Sequence, residues 1–154
     1  MHCFNLLLAL VIGLVIPLQA AVNNQLKGVI GGSTVLAAFV SFLCGTITLG
    51  LVTLFSGERW RGLGQLGQTE WWQLTGGPMG ALFVFGTTLL APRLGVAAML
   101  ALIICGQIAS SLMFDRFGVL GLPLREISTP RLIGAALVVA GVLLVNFGDR
   151  IGRG

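Results

Sequence analysis

In residues 106–118, reading GQIASSLMFDRFG, the polar residues Gln107, Ser111 and Asp115 recur at every fourth position. On a helix that spacing puts them on one face, with Ser110 and Phe114 alongside. Amides and hydroxyls offer neutral hydrogen bonds, and the carboxylate offers one charge. Nothing near them completes a catalytic set: the apolar stretches hold no Ser/His pair, no paired aspartates and no His-based metal site. The chemistry available is therefore recognition without covalent change. In lipid such a polar stripe must face protein or a water-filled cavity. It serves either as glue between helices or as part of a solute path. A second polar pair, Gln19 and Asn23, is also four residues apart. It reads as a solvated helix end with one interhelical hydrogen bond, or as the other half of such a path.

The elements that carry these residues follow from composition. Of 154 residues, 56% are apolar and 9% charged, against about 25% charged in a soluble domain; the mean hydropathy is +0.99. A membrane span needs about 20 mainly apolar residues. Five stretches qualify: 3–22, 34–55, 71–90, 94–114 and a shorter one at 132–147. Their connectors leave no room for a soluble domain, so residues 1–154 are expected to form a single integral-membrane domain, an all-α bundle of five transmembrane helices in contact with lipid. The first stretch has no basic residue before it and is long for a signal sequence, so it reads as a retained helix. The nine Lys and Arg residues sit singly, with no patch to follow a phosphate backbone, which excludes nucleic acid as a partner. Cys3, Cys44 and Cys105 are far apart, so no metal or cofactor is expected, and the last two read as small buried hydrophobes.

Several residues punctuate the spans. Pro17 removes a backbone hydrogen bond and should kink the first helix, its freed carbonyl answered by Gln19 or Asn23. Ser41, Thr46 and Thr48 can return their hydroxyls to their own helix. Gly62–Gly67 matches G-x-G-x-x-G, but a dinucleotide fingerprint needs a strand before it and a helix after it, so it reads as a loop. Trp60, Trp71 and Trp72 around that loop read as interfacial anchors. Gly76, Gly77 and Pro78 predict a break near the membrane surface, and Gly76 with Gly80 a close helix approach. Pro92 to Gly95 predicts a tight turn, and residues 116–131, with Leu120 among them, a segment lying along the interface. Gly134, Ala135, Ala136 and Gly141 suit packing in the last helix, and Asn146 lies near its end.

Five spans put Arg59, Arg61, Arg116, Arg125 and Arg131 on one side and Lys27, Arg93, Arg150 and Arg153 on the other. Orientation follows the Lys/Arg bias of short loops, and a difference of one carries almost no instruction. The chain is thus expected to insert both ways and pair as an antiparallel homodimer. At about 1.5 Å per residue, Gln19 lies roughly 22 Å beyond Phe4 and Gln107 roughly 20 Å beyond Leu94. The two amides then sit at different heights in one copy and level between inverted copies. That arrangement predicts a site of Gln19 and Asn23 from one copy with Gln107 and Ser111 from the other. Asp115 opposes the dipole of its own helix and is expected to pair with Arg59, Arg61, Arg125 or Arg131, or as a gate latch with Lys27 or Arg93 of the inverted copy. None of the carboxylates, Glu58, Glu70, Asp115, Glu126 and Asp149, lies mid-membrane, which favours a neutral or anionic solute over proton-coupled cation exchange.

A set of ordered motifs resembles a known family: Gln19…Asn23, Ser41-Phe42 with Gly45, Gly76-Gly77…Gly80, Leu94-Gly95, Gly106-Gln107, Asp115-Arg116-Phe117-Gly118, and Arg131…Gly134 with Gly141-Val142. It is the YdcZ-like inner-membrane exporter family, a five-helix branch of the drug/metabolite transporter superfamily. The resemblance implies a multi-pass transporter of small molecules in the bacterial inner membrane. It also implies half of a ten-helix inverted-repeat fold, completed by a second copy or a paralogue. The alternative is a non-transporting membrane subunit that assembles with or regulates a partner, in which the stripe is only glue.

Overall fold

A computed structural model describes residues 2–57, 60–118 and 122–151 of the chain, with backbone alone at His2, Cys3, Trp60, Arg61 and 149–151. The expectations attached to Glu58, Arg59, Leu120 and Arg153 lie outside the described residues, as do those on the side chains of Cys3, Trp60, Arg61, Asp149 and Arg150. Among the described residues there is no strand. Five helices carry the chain: α1 (His2–Val29), α2 (Thr34–Phe55), α3 (Gly76–Leu94), α4 (Val96–Phe117) and α5 (Thr129–Ile151). All five are long and apolar enough to cross a membrane. Between 6% and 22% of each span is buried, so the helices present their apolar faces outward, as chains solvated by lipid do. The chain is an all-α membrane bundle.

Two compact units compose it, Met1–Arg93 and Leu94–Gly154. In the first, α1 packs on α2, and the buried apolar residues there, Ala20, Ala37 and Ala38, are small. The connector between these helices is short. Ser33 caps α2 by accepting a hydrogen bond from the Leu36 amide at 3.2 Å, which satisfies a donor that the helix start leaves free. The expected hydroxyl returns are present in α2: Thr46 donates to the Phe42 carbonyl and Thr48 to that of Cys44, each at 2.9 Å. Ser41 makes no such bond. Cys44 is exposed, not buried, because it lies on the outward face of α2 with Leu43 and Ile47.

The polar segment before α3 is short 3-10 helix, over Trp60–Gln68 and Trp71–Thr75. The G-x-G-x-x-G run lies in the first of these, with no strand before it. Glu70 starts the second by a reciprocal capping box with Gln73 and also accepts from the Trp72 indole at 3.3 Å. The break expected at Gly76, Gly77 and Pro78 is a change of helix type: 3-10 geometry ends at Thr75 and α geometry begins at Gly76. Pro78 thus falls in the first turn, where its missing N–H leaves nothing unsatisfied. Pro17 likewise does not end α1, which runs as one α-helix through it. Only Gly80 of the Gly76/Gly80 pair meets a neighbour. A Cβ there would lie 3.1 Å from the tip of the Phe42 ring, whereas Gly76 faces open space. The tight turn expected over Pro92–Gly95 is narrower still: α3 continues through Pro92 to Leu94, and Gly95 alone separates it from α4.

In the second unit α4 packs on α5. Asn146 donates to Val142 within α5 at 2.9 Å and reaches the Ala98 carbonyl of α4 at 3.5 Å. Gly118 closes α4 in the left-handed conformation at φ 59°, donating to Phe114 at 2.9 Å. Residues 122–128 have no regular secondary structure. They return along the end of α4, where the Arg125 amide donates to the Asp115 carbonyl at 2.9 Å. A Cβ at Gly118 would lie 3.2 Å from both the Leu122 carbonyl and the Leu124 side chain. Gly118→Ala is therefore expected to destabilise the protein by about 1–2 kcal/mol, measured by unfolding in detergent. Gly28→Ala, in helix with nothing nearby, should be neutral or stabilising.

Candidate functional site

The polar residues of α1 divide sharply. Asn23 is 3% exposed and its Nδ2 has no hydrogen-bond partner, so it is not a solvated helix end. A buried unpaired donor of this kind costs about 1–3 kcal/mol. Gln19, one turn earlier, is exposed and its amide is likewise unpaired. Neither amide answers the backbone at Pro17.

Gln19 opens onto a cleft of about 440 Å³ between α1, α2 and α3, bounded by Ser41, Phe42 and Gly45 of α2 and by Gly77 and Gly80 of α3. Here the structure brings together Gln19, Gly77 and Gly80 with the Ser41-Phe42 and Gly45 motif of α2. Gly76 and Pro78 do not line it. Ser41 does, and its hydroxyl is free. The signal that could have found it is its spacing: Ser41 and Gly45 are four apart on α2, two small residues on one face beside Phe42. Thr87 and Thr88 are also buried polar groups that drew no notice in the sequence. Both return their hydroxyls to the Val84 carbonyl, at 3.1 and 2.8 Å, and are satisfied.

On α4 the stripe separates by hydrogen bonding. Ser110 donates to the Gly106 carbonyl at 2.7 Å. Gln107 and Ser111 are exposed and make no side-chain hydrogen bond. The helix bounds refine the depth of both glutamines. Gln107 lies at the midpoint of α4, and Gln19 only about 4 Å past the middle of the span Phe4–Val29. Each is nearer the centre of its helix than the shorter sequence-based spans implied. Lone amides at that depth have no water to turn to.

Asp115 at the end of α4 pairs with Arg131 at the start of α5, Oδ2 to Nη1 at 3.0 Å. Arg131 is one of the four in-chain partners expected. Each charge sits at the helix end its own dipole disfavours, so each relieves the other. Arg93 is exposed and has no ion-pair partner among the described residues. Its position in the last turn of α3 suits that helix's dipole.

Residues 4–144 match the family described as "Putative inner membrane exporter, YdcZ". The chain belongs to the YdcZ family. The inner membrane protein YdcZ of Escherichia coli strain K12 is 33% identical over 114 residues, covering 73% of this chain and 76% of that one. No solved structure matches. With five apolar helices, this member of the YdcZ family is a multi-pass inner-membrane protein.

The unpaired amide of Asn23 gives a test that needs no substrate. Asn23→Leu keeps the volume and removes the orphaned donor, so it is expected to stabilise the resting protein by about 1 kcal/mol, or roughly 2–4 °C in Tm. Thermal unfolding in detergent reads this directly. A fall in Tm would mean that Asn23 is satisfied in the folded state.

Proposed function

We propose that the chain is a small-molecule exporter that works by alternating access, as two copies inserted in opposite orientations. The observation that carries this is Gln107: a mid-span amide, exposed on the single chain and unpaired. Such a group calls for protein or a hydrated cavity beside it. A second copy in the opposite orientation supplies both, because positions near the middle of a span stay near the middle when the chain is inverted. Gln19 of one copy, with Asn23 buried one turn behind it, then faces Gln107 and Ser111 of the other, around a midplane site of the kind that inverted-repeat transporters use. The near balance of Lys and Arg across the membrane supports insertion both ways. The family description supports export as the direction.

In this reading the two copies rock about the site, and no bond is made or broken. Asp115 and Arg131 hold the α4–α5 end shut in one state and part in the other, with Arg93 of the inverted copy as the alternative partner for Asp115.

Cysteines placed at positions 19 and 107, after replacement of Cys3, Cys44 and Cys105, are expected to cross-link into a dimer. Exclusively intramolecular linkage, or none, overturns the inverted pair. Reporter fusions at the C-terminus should give signal on both sides of the membrane. In proteoliposomes offered a metabolite panel, Gln107→Leu is expected to abolish solute flux while leaving the dimer intact. Loss of the dimer, with no flux in the wild type either, would favour the regulatory-subunit reading instead.

A further inference from the structure

Resting on the transport reading, we propose that the cleft between α1, α2 and α3 is the chamber for an uncharged, largely apolar small molecule with one hydrogen-bonding group, held at that group by Gln19 and Ser41. The cleft measures about 440 Å³, inside the range of about 300–1,000 Å³ usual for small-molecule sites. It is mid-span: Gly45 on its wall is at the centre of α2, and Ser41 is about 5 Å from that centre.

Charge decides the class of occupant. No Asp, Glu, Lys or Arg lines the cleft. An ion entering it would lose its hydration with no counter-charge to replace it. A neutral molecule gives up only the hydrogen bonds of its own polar group, and the protein can return those. Gln19 offers both donors and an acceptor, and Ser41 offers one hydroxyl that can do either. Both are unspent on protein partners. Thr46 also lines the cleft, but its hydroxyl is committed to the Phe42 carbonyl at 2.9 Å. Polar capacity is thus confined to two points. The remaining wall is apolar: the rings of Phe42 and Phe83, the aliphatic Leu49 and Val84, and bare backbone at the glycines, which suits a largely apolar body.

A lipid acyl chain is the competing occupant, and a neighbouring cavity shows why it fits this cleft badly. That second cavity, about 390 Å³ between α2 and α3, is lined by apolar residues alone, among them Phe39, Leu82 and Phe85. Phe42 borders both spaces, with Gly80 against its ring. An acyl chain in the apolar cavity leaves nothing unpaired. In the first cleft it would strand an amide and a hydroxyl in a medium without water.

The test is a fluorescence titration of the full chain in lipid nanodiscs, with empty nanodiscs subtracted. The probes are N-phenylnaphthylamine, its sulfonated counterpart anilinonaphthalene sulfonate, and naphthylmethylamine, which is protonated at neutral pH. The neutral probe is expected to bind saturably and about tenfold tighter than either ion. Gln19→Leu combined with Ser41→Ala should weaken it about tenfold. Gly45→Leu fills the cleft at a position where a Cβ meets nothing within 4 Å, so it should fold normally and abolish the saturable signal. Equal binding of either ion overturns the proposal, and so does a neutral-probe signal unchanged in both variants. Flux separates this from the transport reading. Charge discrimination without any flux in the wild type sinks transport and keeps the chamber. Flux undiminished by Gly45→Leu sinks the chamber and keeps transport.

Discussion

The absence of water inside a bilayer governs this molecule. In hydrocarbon every backbone and side-chain polar group must be met by protein, and most of this chain obeys. Thr46, Thr48 and Thr53 of α2 and Thr87 and Thr88 of α3 return their hydroxyls to their own helices, and Ser110 does the same in α4. Asn146 spans two helices, and Asp115 has Arg131. Prominent among the groups left without a partner are Gln19, Asn23, Ser41, Gln107 and Ser111. Gln19, Gln107 and Ser111 are exposed on the single chain, whereas Asn23 is buried.

The exposed area carries the same message in apolar terms. Each span buries at most 22% of its residues, and the buried ones are mostly alanine, valine and threonine. A soluble chain with so much apolar surface would aggregate. A membrane chain is solvated by lipid and associates through packing and interhelical hydrogen bonds. Membership of the YdcZ family, described as inner-membrane exporters, agrees with five helices whose apolar faces are turned outward.

The helices themselves were plain in the sequence, since 20-residue apolar runs leave little choice in lipid. Their ends were not. α1 continues past Val22 through Asn23 to Val29, and α5 starts at Thr129, because helix formation at the interface does not need apolar side chains. Arg131 was legible among four in-chain partners for Asp115. The fate of individual polar groups was not. Asn23 and Gln19 share a spacing yet differ completely in burial, and Ser41 looked like its neighbours Thr46 and Thr48. Whether a hydroxyl turns to its own backbone depends on rotamer and neighbours, and spacing does not encode either. Pro17 and Pro78 were legible as irregularities but not in effect: one sits inside a continuous helix, and the other in a first turn that has no bond to lose.

The pairing of Asp115 with Arg131 has an evolutionary corollary. Each charge alone stands at the wrong pole of its helix, so a lineage that mutates one is left with an isolated charge that its own backbone repels. The two positions are therefore expected to change together. A descendant should keep both, exchange both for a neutral pair, or reverse both signs. The reversal is the route that would put each charge at the favourable pole, so its absence from a lineage would mark the present polarity as selected for something other than stability.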